Sequence, residues 1–560
     1  QLYKIPCSLL SNLYLKVQCV PFNNIPFNFS LVNHNPPIAD LLDCIDSSER
    51  THELFARLIK NNTEQRGILY TSKADIVGFK NPEELAEKYN NVLYHRHQYA
   101  RIEIFKNHFY IKEYDENVYE IIYKLKKYAE SGIKNYTHSV DLWMKNSGLI
   151  IDCDEKKNAL RNLFKNSKVA FIYGAAGTGK STMINYISSL FKDKQKIFLA
   201  NTNPAVENLR RKVTAEHAEF VTITKFLSKD VSNDCDILCL DECSTISNRD
   251  MVRVLQRAQC KLLVLVGDIY QIESILFGNW FNIAYKVMPK DSVAELTRPH
   301  RTTVQGLIEV WNKVREITED RLEFITRNGL SSTLDESIFS RTEEDEIVLC
   351  LNYDGIYGIN NINKFLQSNN VNPSINWGVL SYKVGDPVLF NESNRFAPLV
   401  YNNLKGKILQ IEEEEDCIYF TIEVYTVLNE LDVIGFDLEL KESVTDETSV
   451  IRFKVGRGGD GNDDNDNVEN VVPFQVAYAI SIHKAQGLEY ESVKVVITSE
   501  IEEMVSHNIF YTAITRAKSK LKIYWSPETE KRILENMKVQ FNDKDYQLFK
   551  AKYKEALLKS

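Results

Sequence analysis

The stretch Val169-Ala-Phe-Ile-Tyr-Gly174-Ala-Ala-Gly-Thr-Gly-Lys180-Ser181 decides the fold of this chain. A short apolar run, which predicts a buried strand, leads into a loop of the pattern G-x-x-x-x-G-K-[ST], and a helical pattern follows over 182–191. In such a loop, glycines let backbone N–H groups turn towards phosphate oxygens, and the amino end of the next helix adds its dipole. The stretch therefore predicts a nucleoside-triphosphate site. The predicted phosphate-binding residues are Gly174, Ala175, Ala176, Gly177, Thr178, Gly179, Lys180, Ser181 and Thr182.

A carboxylate pair follows a later apolar run, which also predicts a strand. The apolar run Ile237-Leu-Cys-Leu240 ends in Asp241-Glu242, about 60 residues after the phosphate loop. A magnesium-dependent NTPase needs such a pair at a strand end, because one carboxylate holds the metal and the other acts on the attacking water. We expect Asp241 and the Ser181 hydroxyl to bind Mg²⁺, Lys180 to neutralise the phosphates, and Glu242 to be the general base.

Short apolar runs alternate with helical segments on both sides of these motifs, which is typical of parallel α/β sheets. The sequence predicts an α/β fold with two parallel-sheet domains, a small mainly β insert in the second, and a separate α+β N-terminal domain. The expected boundaries are 1–147 for the N-terminal domain, 148–300 for the first parallel-sheet domain, 301–375 with 471–545 for the second, 376–470 for the insert, and 546–560 for a C-terminal tail.

The amino-acid composition narrows the class of protein but does not identify its function. The chain has 560 residues, 44% hydrophobic and 26% charged, which is ordinary globular composition. The net charge of −9 argues against a polyanion partner, yet residues 412–469 hold 18 acidic and 4 basic residues, a net of −14. The rest of the chain is therefore slightly basic, at −9 + 14 = +5. Ten scattered cysteines and no visible signal peptide or membrane span indicate a cytoplasmic protein.

Four further stretches resemble the motifs of superfamily 1 DNA helicases, in their order and spacing. They are Leu265-Val-Gly-Asp268-Ile-Tyr-Gln271, Leu296-Thr-Arg-Pro-His-Arg301, Ala479-Ile-Ser-Ile-His483-Lys484-Ala-Gln486-Gly487-Leu-Glu489, and Tyr511-Thr-Ala-Ile-Thr515-Arg516-Ala517. Tyr382-Lys-Val-Gly385-Asp386-Pro-Val and Tyr401-Asn-Asn-Leu-Lys-Gly406 resemble the insert of the RecD-like branch, whose C-terminal domain is of the UvrD/RecD type.

The resemblance implies ATP bound with Mg²⁺ in the cleft between two RecA-like domains. It implies that Gln271 senses the γ-phosphate, that Arg301 and Arg516 reach the phosphates as arginine fingers, and that Glu489 binds the ribose. Gln486 and Gly487 would link nucleotide to strand. Lys156 takes the place of the family's adenine-reading Gln, and a Lys cannot both donate to and accept from an adenine edge.

Binding of a single strand needs polar and cationic groups for phosphates, and ring faces on which bases can stack. By motif position and residue type, the candidates are Thr202, Asn203, Pro204, Thr222, Thr224, Trp280, Ser481, His483 and Lys484.

The leading hypothesis is an ATP-driven motor that translocates on single-stranded DNA and opens duplex at single-strand/duplex junctions, with 5′-to-3′ movement implied by the branch. The alternative is a nucleic-acid-activated NTPase switch within a defence or mobile-element complex, with a protein partner on 1–147. A nuclease in 1–147 is disfavoured, because its acidic residues, among them Glu103, Asp115 and Glu120, fit a solvated face. No membrane partner is expected.

Overall fold

The fold is taken from a computed structural model of the chain. It describes residues 3–6, 14–17, 50–175, 177–228, 233–271, 277–298, 302–378, 380–391, 395–397, 399–443, 445–456, 470–501, 505–537 and 543–558. Among these residues, none of the helices is both long and apolar enough to cross a bilayer.

The N-terminal region combines helices with short antiparallel strands. Its elements are β1 (Tyr3–Pro6), β2 (Tyr14–Val17), α1 (Thr51–Arg66), β3 (Thr71–Ser72), α2 (Pro82–Val92), β4 (Ile102–Phe105), β5 (His108–Ile111), α3 (Lys112–Ala129) and α4 (Tyr136–Asn146). Strand β5 lies between β3 and β4, while β1 pairs with β2. One face of α3 is buried, and it packs against the helix Asn248–Arg257 of the next domain.

The first parallel sheet follows. Its domain contains α5 (Asp154–Asn162), β6 (Val169–Gly174), α6 (Lys180–Leu190), β7 (Lys196–Ala200), α7 (Asn203–Lys212), β8 (Ala218–Thr222), α8 (Ile223–Leu227), β9 (Asp234–Leu240), α9 (Asn248–Arg257), β10 (Gln259–Gly267), α10 (Trp280–Val287) and β11 (Val293–Leu296). The strand order is β11-β6-β10-β9-β7-β8, with every pairing parallel. Along β6, Val169 and Phe171 join one core cluster while Ala170 and Ile172 join another. The strand reads as a continuous apolar run because helices cover both faces of the sheet.

The second parallel sheet is built from two separate parts of the chain. The first part contains α11 (Gln305–Glu316), α12 (Arg321–Arg327), β12 (Ser331–Ser332), β13 (Glu346–Cys350) and α13 (Ile359–Ser368).

The insert between the two parts is mainly β. It contains β14 (Ser374–Trp377), β15 (Leu380–Lys383), β16 (Pro387–Phe390), β17 (Lys405–Glu413), β18 (Cys417–Val424), β19 (Glu439–Lys441), β20 (Ser449–Gly456) and β21 (Phe474–Val476). Strands β14 and β15 form a hairpin, and the other six form one antiparallel sheet with its own aromatic core. The stretch 457–469, which carries part of the insert's acidic charge, lies outside the described residues.

The chain then returns to complete the second sheet with β22 (Ala479–Ser481), β23 (Tyr490–Val496), α14 (His507–Ile514), β24 (Ala517–Tyr524) and α15 (Pro527–Asn536). The strand order is β12-β24-β23-β13-β22, again with parallel pairings. The predicted fold class, α/β with two parallel sheets and a β insert, is confirmed.

The last described segment corrects the expected C-terminal tail at 546–560. Helix α16 (Asp543–Leu558) includes most of that range and lies against the N-terminal region. Its Leu548 and Phe549 are buried in the same core cluster as Leu69 and Val118. The segment is helical because this apolar face is covered, so it does not behave as a free tail.

Candidate nucleotide site

The phosphate loop lies between β6 and α6, at the carboxyl edge of the first sheet. Gly179 caps α6 with φ +85°, a left-handed backbone that side chains with a Cβ rarely adopt. The Lys180 Nζ donates to the carbonyl oxygens of Gly174 at 2.7 Å and of Ala175 at 2.9 Å. Thr178 is buried, and its hydroxyl donates to the Ala175 carbonyl at 3.0 Å. Ala176 lies outside the described residues.

The carboxylate pair follows β9, two strands away from the phosphate loop. Asp241 Oδ1 accepts a hydrogen bond of 2.9 Å from the Glu242 backbone N–H, and Glu242 has a left-handed backbone with φ +52°. Burial raises the pKa of Asp241. Burial, with a smaller contribution from Asp241, raises the pKa of Glu242 to about 7. A carboxyl group with that pKa can take up a proton near neutral pH, which suits a general base.

Residues from the second sheet complete the cleft. Arg516 is almost fully buried and donates to the carbonyl oxygens of Thr512 at 2.9 Å and Leu488 at 3.2 Å. Its charge opposes the rise in the pKa of Glu242, so the two groups interact across the cleft. Gly487 has φ +79°, and a Cβ at this position would lie 3.7 Å from Glu242 Oε1.

These groups surround one cavity of about 310 Å³. The predicted residues that line it are Gly177, Gly179, Lys180, Ser181, Thr182, Asp241, Glu242, Gln271, Gly487, Glu489 and Arg516. Gly174, Ala175, Thr178 and Gln486 are not among its lining residues. The Gln271 Nε2 donates to Asp268 Oδ2 at 3.3 Å. Arg301 lies outside the described residues.

The sequence analysis missed several residues of the cavity wall: Ala205, Asn208, Leu209, Lys212, Ser244, Gly267 and Asp268. Ser244 is 5% exposed, and its hydroxyl has no hydrogen-bond partner among the described residues. The buried Gln486 Nε2 likewise has none within the described part of the chain. Ser244 lies two residues after Glu242, so its proximity to the pair was the available signal.

Family models match two parts of the chain. The one described as AAA domain matches residues 153–335, and the one described as UvrD-like helicase C-terminal domain matches 476–524. RecD, a subunit of the RecBCD enzyme, from Buchnera aphidicola subsp. Schizaphis graminum is 23% identical over 69% of this chain and 78% of that protein. The ATP-dependent DNA helicase Pif1 from Campylobacter jejuni is 23% identical over 63% of this chain and 88% of that protein.

The chain is thus similar to the RecD-like helicases of superfamily 1. The predicted resemblance is confirmed, and with it the enzyme class of a helicase-type ATPase. The uncharacterized protein MJ1519 from Methanocaldococcus jannaschii is 24% identical, and the match spans 66% of this chain but only 37% of that protein. A crystal structure of Pif1 helicase from Bacteroides in complex with ADP-AlF3 and ssDNA has 16% identity and a TM-score of 0.42, and the match covers 72% of this chain and 98% of that chain.

Lys156 lies beside the phosphate loop of this RecD-like chain. Its side chain is 1% exposed and forms an ion pair with Asp152. The Lys156 Nζ would lie 2.5 Å from a Cβ at Gly179, so the ammonium group packs directly on the loop. Next to it, Glu155 Oε1 accepts from the Thr297 backbone N–H at 3.1 Å and from its hydroxyl at 2.9 Å. Helix α5 therefore contacts both the phosphate loop and the segment that leads towards Arg301.

The strand-binding candidates from the first sheet lie at its carboxyl edge, after neighbouring strands. The Thr202 hydroxyl caps α7 by accepting from the Ala205 backbone N–H at 3.4 Å, and Thr222 caps α8 by accepting from the Lys225 backbone N–H at 3.2 Å. Ala200 and Thr222 are register partners, so these two helix starts are adjacent. Asn203 and Thr224 are exposed, whereas Pro204 is buried.

The candidates from the second sheet follow β22. The buried Ser481 hydroxyl accepts from the Lys484 backbone N–H at 3.2 Å, and Lys484 Nζ donates to Gln475 Oε1 at 2.9 Å. His483 between them is exposed. Strand binding at both edges remains a prediction.

The structure contradicts the expectation that Trp280 stacks on bases. Trp280 is fully buried, and its indole Nε1 donates to the Ile246 carbonyl at 2.9 Å. Its backbone N–H donates to Asn248 Oδ1 at 3.1 Å. With the ring enclosed in the core and its polar atom satisfied, Trp280 holds α10 against the segment that follows Glu242.

Proposed function

We propose that the chain is an ATP-driven motor that translocates on single-stranded DNA and unwinds duplex in the 5′-to-3′ direction. The observation that carries the proposal is the shared cleft, in which the phosphate loop and Glu242 of the first sheet face Arg516 of the second. A cation supplied from a second domain stabilises the transferring phosphoryl group only when the cleft is closed. Hydrolysis would therefore be tied to domain movement, which is what a motor requires.

The residues divide the chemistry between them. Lys180 would leave its backbone carbonyl partners to neutralise phosphate oxygens, while Glu242 would orient the attacking water and accept its proton. Arg516, already held by backbone carbonyls, needs little reorganisation to act in the transition state.

The oxygen donors of Ser181 and Asp241 both line the cleft and are the ligand type that Mg²⁺ prefers. Bound there, the ion would neutralise charge on the phosphates.

DNA as the track is supported by the names of the relatives and by exposed polar residues at the carboxyl edges of both sheets. Asn203 and Thr224 of the first sheet and His483 of the second are exposed, and backbone-directed strand binding needs such groups. The direction of movement rests on the branch resemblance alone.

The test combines an ATPase assay with strand displacement. ATP hydrolysis is measured with and without oligo(dT), and labelled duplexes carry either a 5′ or a 3′ single-stranded tail. We expect DNA to stimulate hydrolysis and only the 5′-tailed duplex to open. Lys180→Ala serves as the hydrolysis-deficient control, which should still bind the strand. Opening of the 3′-tailed duplex alone would refute the direction.

A second candidate is a nucleic-acid-activated switch that works as a subunit of a larger complex. It is favoured by exposed apolar side chains of the N-terminal region, where Val77 is 82% and Val92 is 62% exposed, since such surfaces often contact partners. ATP turnover that rises with DNA, without opening of either duplex, would select this alternative.

A further inference from the structure

Side chains on one face of helix α7 contact the second domain and its insert. Asn208, Arg211 and Lys212 are spaced i, i+3 and i+4, so they lie on the same side of the helix. Asn208 Nδ2 donates to the Gly487 carbonyl at 2.9 Å, and the Arg211 guanidinium donates to the Tyr425 carbonyl. The Lys212 Nζ lies 3.8 Å from Glu489 Oε1. All three side chains belong to the first RecA-like domain, and their partners belong to the second domain or its insert.

The contact made by Asn208 lies next to the proposed general base. Gly487 is close enough to Glu242 that a Cβ on Gly487 would lie 3.7 Å from Glu242 Oε1. By holding the Gly487 carbonyl, Asn208 fixes how near the second domain comes to Glu242. The ion pair of Lys212 with Glu489 and the hydrogen bond of Arg211 to Tyr425 extend this contact from the cleft towards the β insert.

We propose that Asn208, Arg211 and Lys212 form a closure clamp, which holds the two domains together around bound nucleotide. The proposal rests on the proposed function, because the clamp has a role only where nucleotide binds between the domains. Its members are positioning residues: they act through the domain that carries Gly487, Glu489 and Arg516.

The same helix begins at the proposed strand-binding site. Thr202 caps α7 and Asn203 starts it, about 15 Å along the axis from the Lys212 end at 1.5 Å per residue. A strand that contacts the first turn would therefore act on the clamp through a short, rigid helix.

The sharpest test compares two adjacent arginines. Arg211→Ala removes a bond between the first domain and the β insert, whereas the bonds of Arg210 stay within the first domain, to Glu207 and to the Phe220 carbonyl at 3.2 Å. Both side chains are exposed, so the two variants lose the same charge with little effect on folding. Thermal melts of the two variants check that both fold.

The readout is the rate at which a fluorescent ADP analogue is released, measured by stopped flow without DNA. We expect Arg211→Ala to release it about 5-fold faster, the size of one lost hydrogen bond, and Arg210→Ala to match the parent protein. Arg211→Lys, which can still donate to a carbonyl, should restore part of the slow release. Equal release rates for the two alanine variants would overturn the clamp.

A second arm separates the clamp from the function it rests on. In steady-state hydrolysis with oligo(dT), Arg211→Ala should raise the KM for ATP more than it lowers kcat. If oligo(dT) fails to stimulate ATP hydrolysis by the parent protein, the proposed DNA motor is refuted. The release rates of the ADP analogue still test the clamp in that case. If the parent protein binds no ADP analogue, both proposals fall.

Discussion

Two regions of the molecule shield a carboxylate from solvent, Asp115 completely and Glu242 in part, and the surroundings of the two groups differ. Glu242 lies in the nucleotide cleft, where no hydrogen bond from a described residue reaches its carboxylate and burial raises its pKa to about 7. Asp115 lies where helix α16 meets the N-terminal region, and it accepts hydrogen bonds from the Tyr70 hydroxyl, the Tyr553 hydroxyl and, at 2.6 Å, the Lys552 Nζ. Burial and Asp115 together raise the pKa of Tyr70 and Tyr553 far above the usual range, so both remain donors.

The difference indicates that Glu242 serves a chemical role, whereas Asp115 serves the stability of the fold. A buried carboxylate that accepts three hydrogen bonds stabilises the contact it makes. A partly buried carboxylate without donors costs stability, and such a cost is typical of functional sites. The contrast predicts that changes in the cleft affect turnover, and that changes at the α16 contact affect unfolding.

The largest expected effect on the cleft side comes from Arg516→Ala. Its cation acts on the transition state, so kcat for ATP hydrolysis should fall about 10³- to 10⁵-fold while nucleotide affinity changes little. Steady-state kinetics and equilibrium titration measure the two quantities. Arg516→Lys, which keeps the charge, is the control for lost packing, and a matching loss of affinity would assign Arg516 to ground-state binding instead.

Glu242→Gln should lower kcat by about 10²- to 10⁴-fold, because the amide cannot accept the proton of the attacking water. The midpoint of thermal unfolding should not fall, since a neutral isostere relieves a buried charge. Single-turnover hydrolysis and a thermal melt give both numbers. Hydrolysis at the parent rate would refute Glu242 as the base.

Asp115→Ala should show the reverse pattern. Its loss leaves two tyrosine hydroxyls without their acceptor and removes the carboxylate that pairs with the Lys552 ammonium, so we expect the free energy of unfolding to fall by about 3 kcal/mol. Turnover per folded molecule should stay unchanged at low temperature. Glu116→Ala is the control, because Glu116 is exposed and its ion pair with Lys112 is worth little. If denaturant unfolding shows the same loss of unfolding free energy for both variants, Asp115 has no special role in stability.

The smallest effect is expected for Trp280→Phe. The variant loses the indole hydrogen bond to Ile246, at a cost of about 1 kcal/mol in unfolding free energy. Affinity for oligo(dT), measured by fluorescence anisotropy, should equal that of the parent. A clear loss of affinity without a loss of stability would place Trp280 back among the strand-binding residues.

The cleft could be found from sequence because its groups lie in short motifs at the ends of apolar strands. Glu242 is the second residue after such a strand, and Arg516 directly precedes another. Trp280 could not be placed, since its burial depends on partners that come together only in the folded domain. Asp115 was assigned to a solvated face, although its i+3 and i+7 neighbours Val118 and Ile122 are buried on the same side of α3.

The partners of Asp115 carry no local signal at all. Lys552 and Tyr553 are 437 and 438 residues away in the sequence, and nothing in either segment indicates the other. The hydrogen bond of Asn208 also joins residues that are far apart in the sequence, because its acceptor, Gly487, is 279 residues away. Contacts of this kind are set by how the domains meet, which periodicity and motif spacing do not record.

The position of helix α16 also bears on how the protein is made. The Leu69 and Tyr70 backbone N–H groups are capped by Asp545, and 476 residues separate Leu69 from that carboxylate. A ribosome adds about 5–20 residues per second, so this capping group arrives roughly 25–95 s after Leu69 has been joined to the chain. Throughout that interval the surface that α16 covers stays open to water and to other molecules. The N-terminal region is thus synthesised early but completed late, after both parallel sheets have emerged.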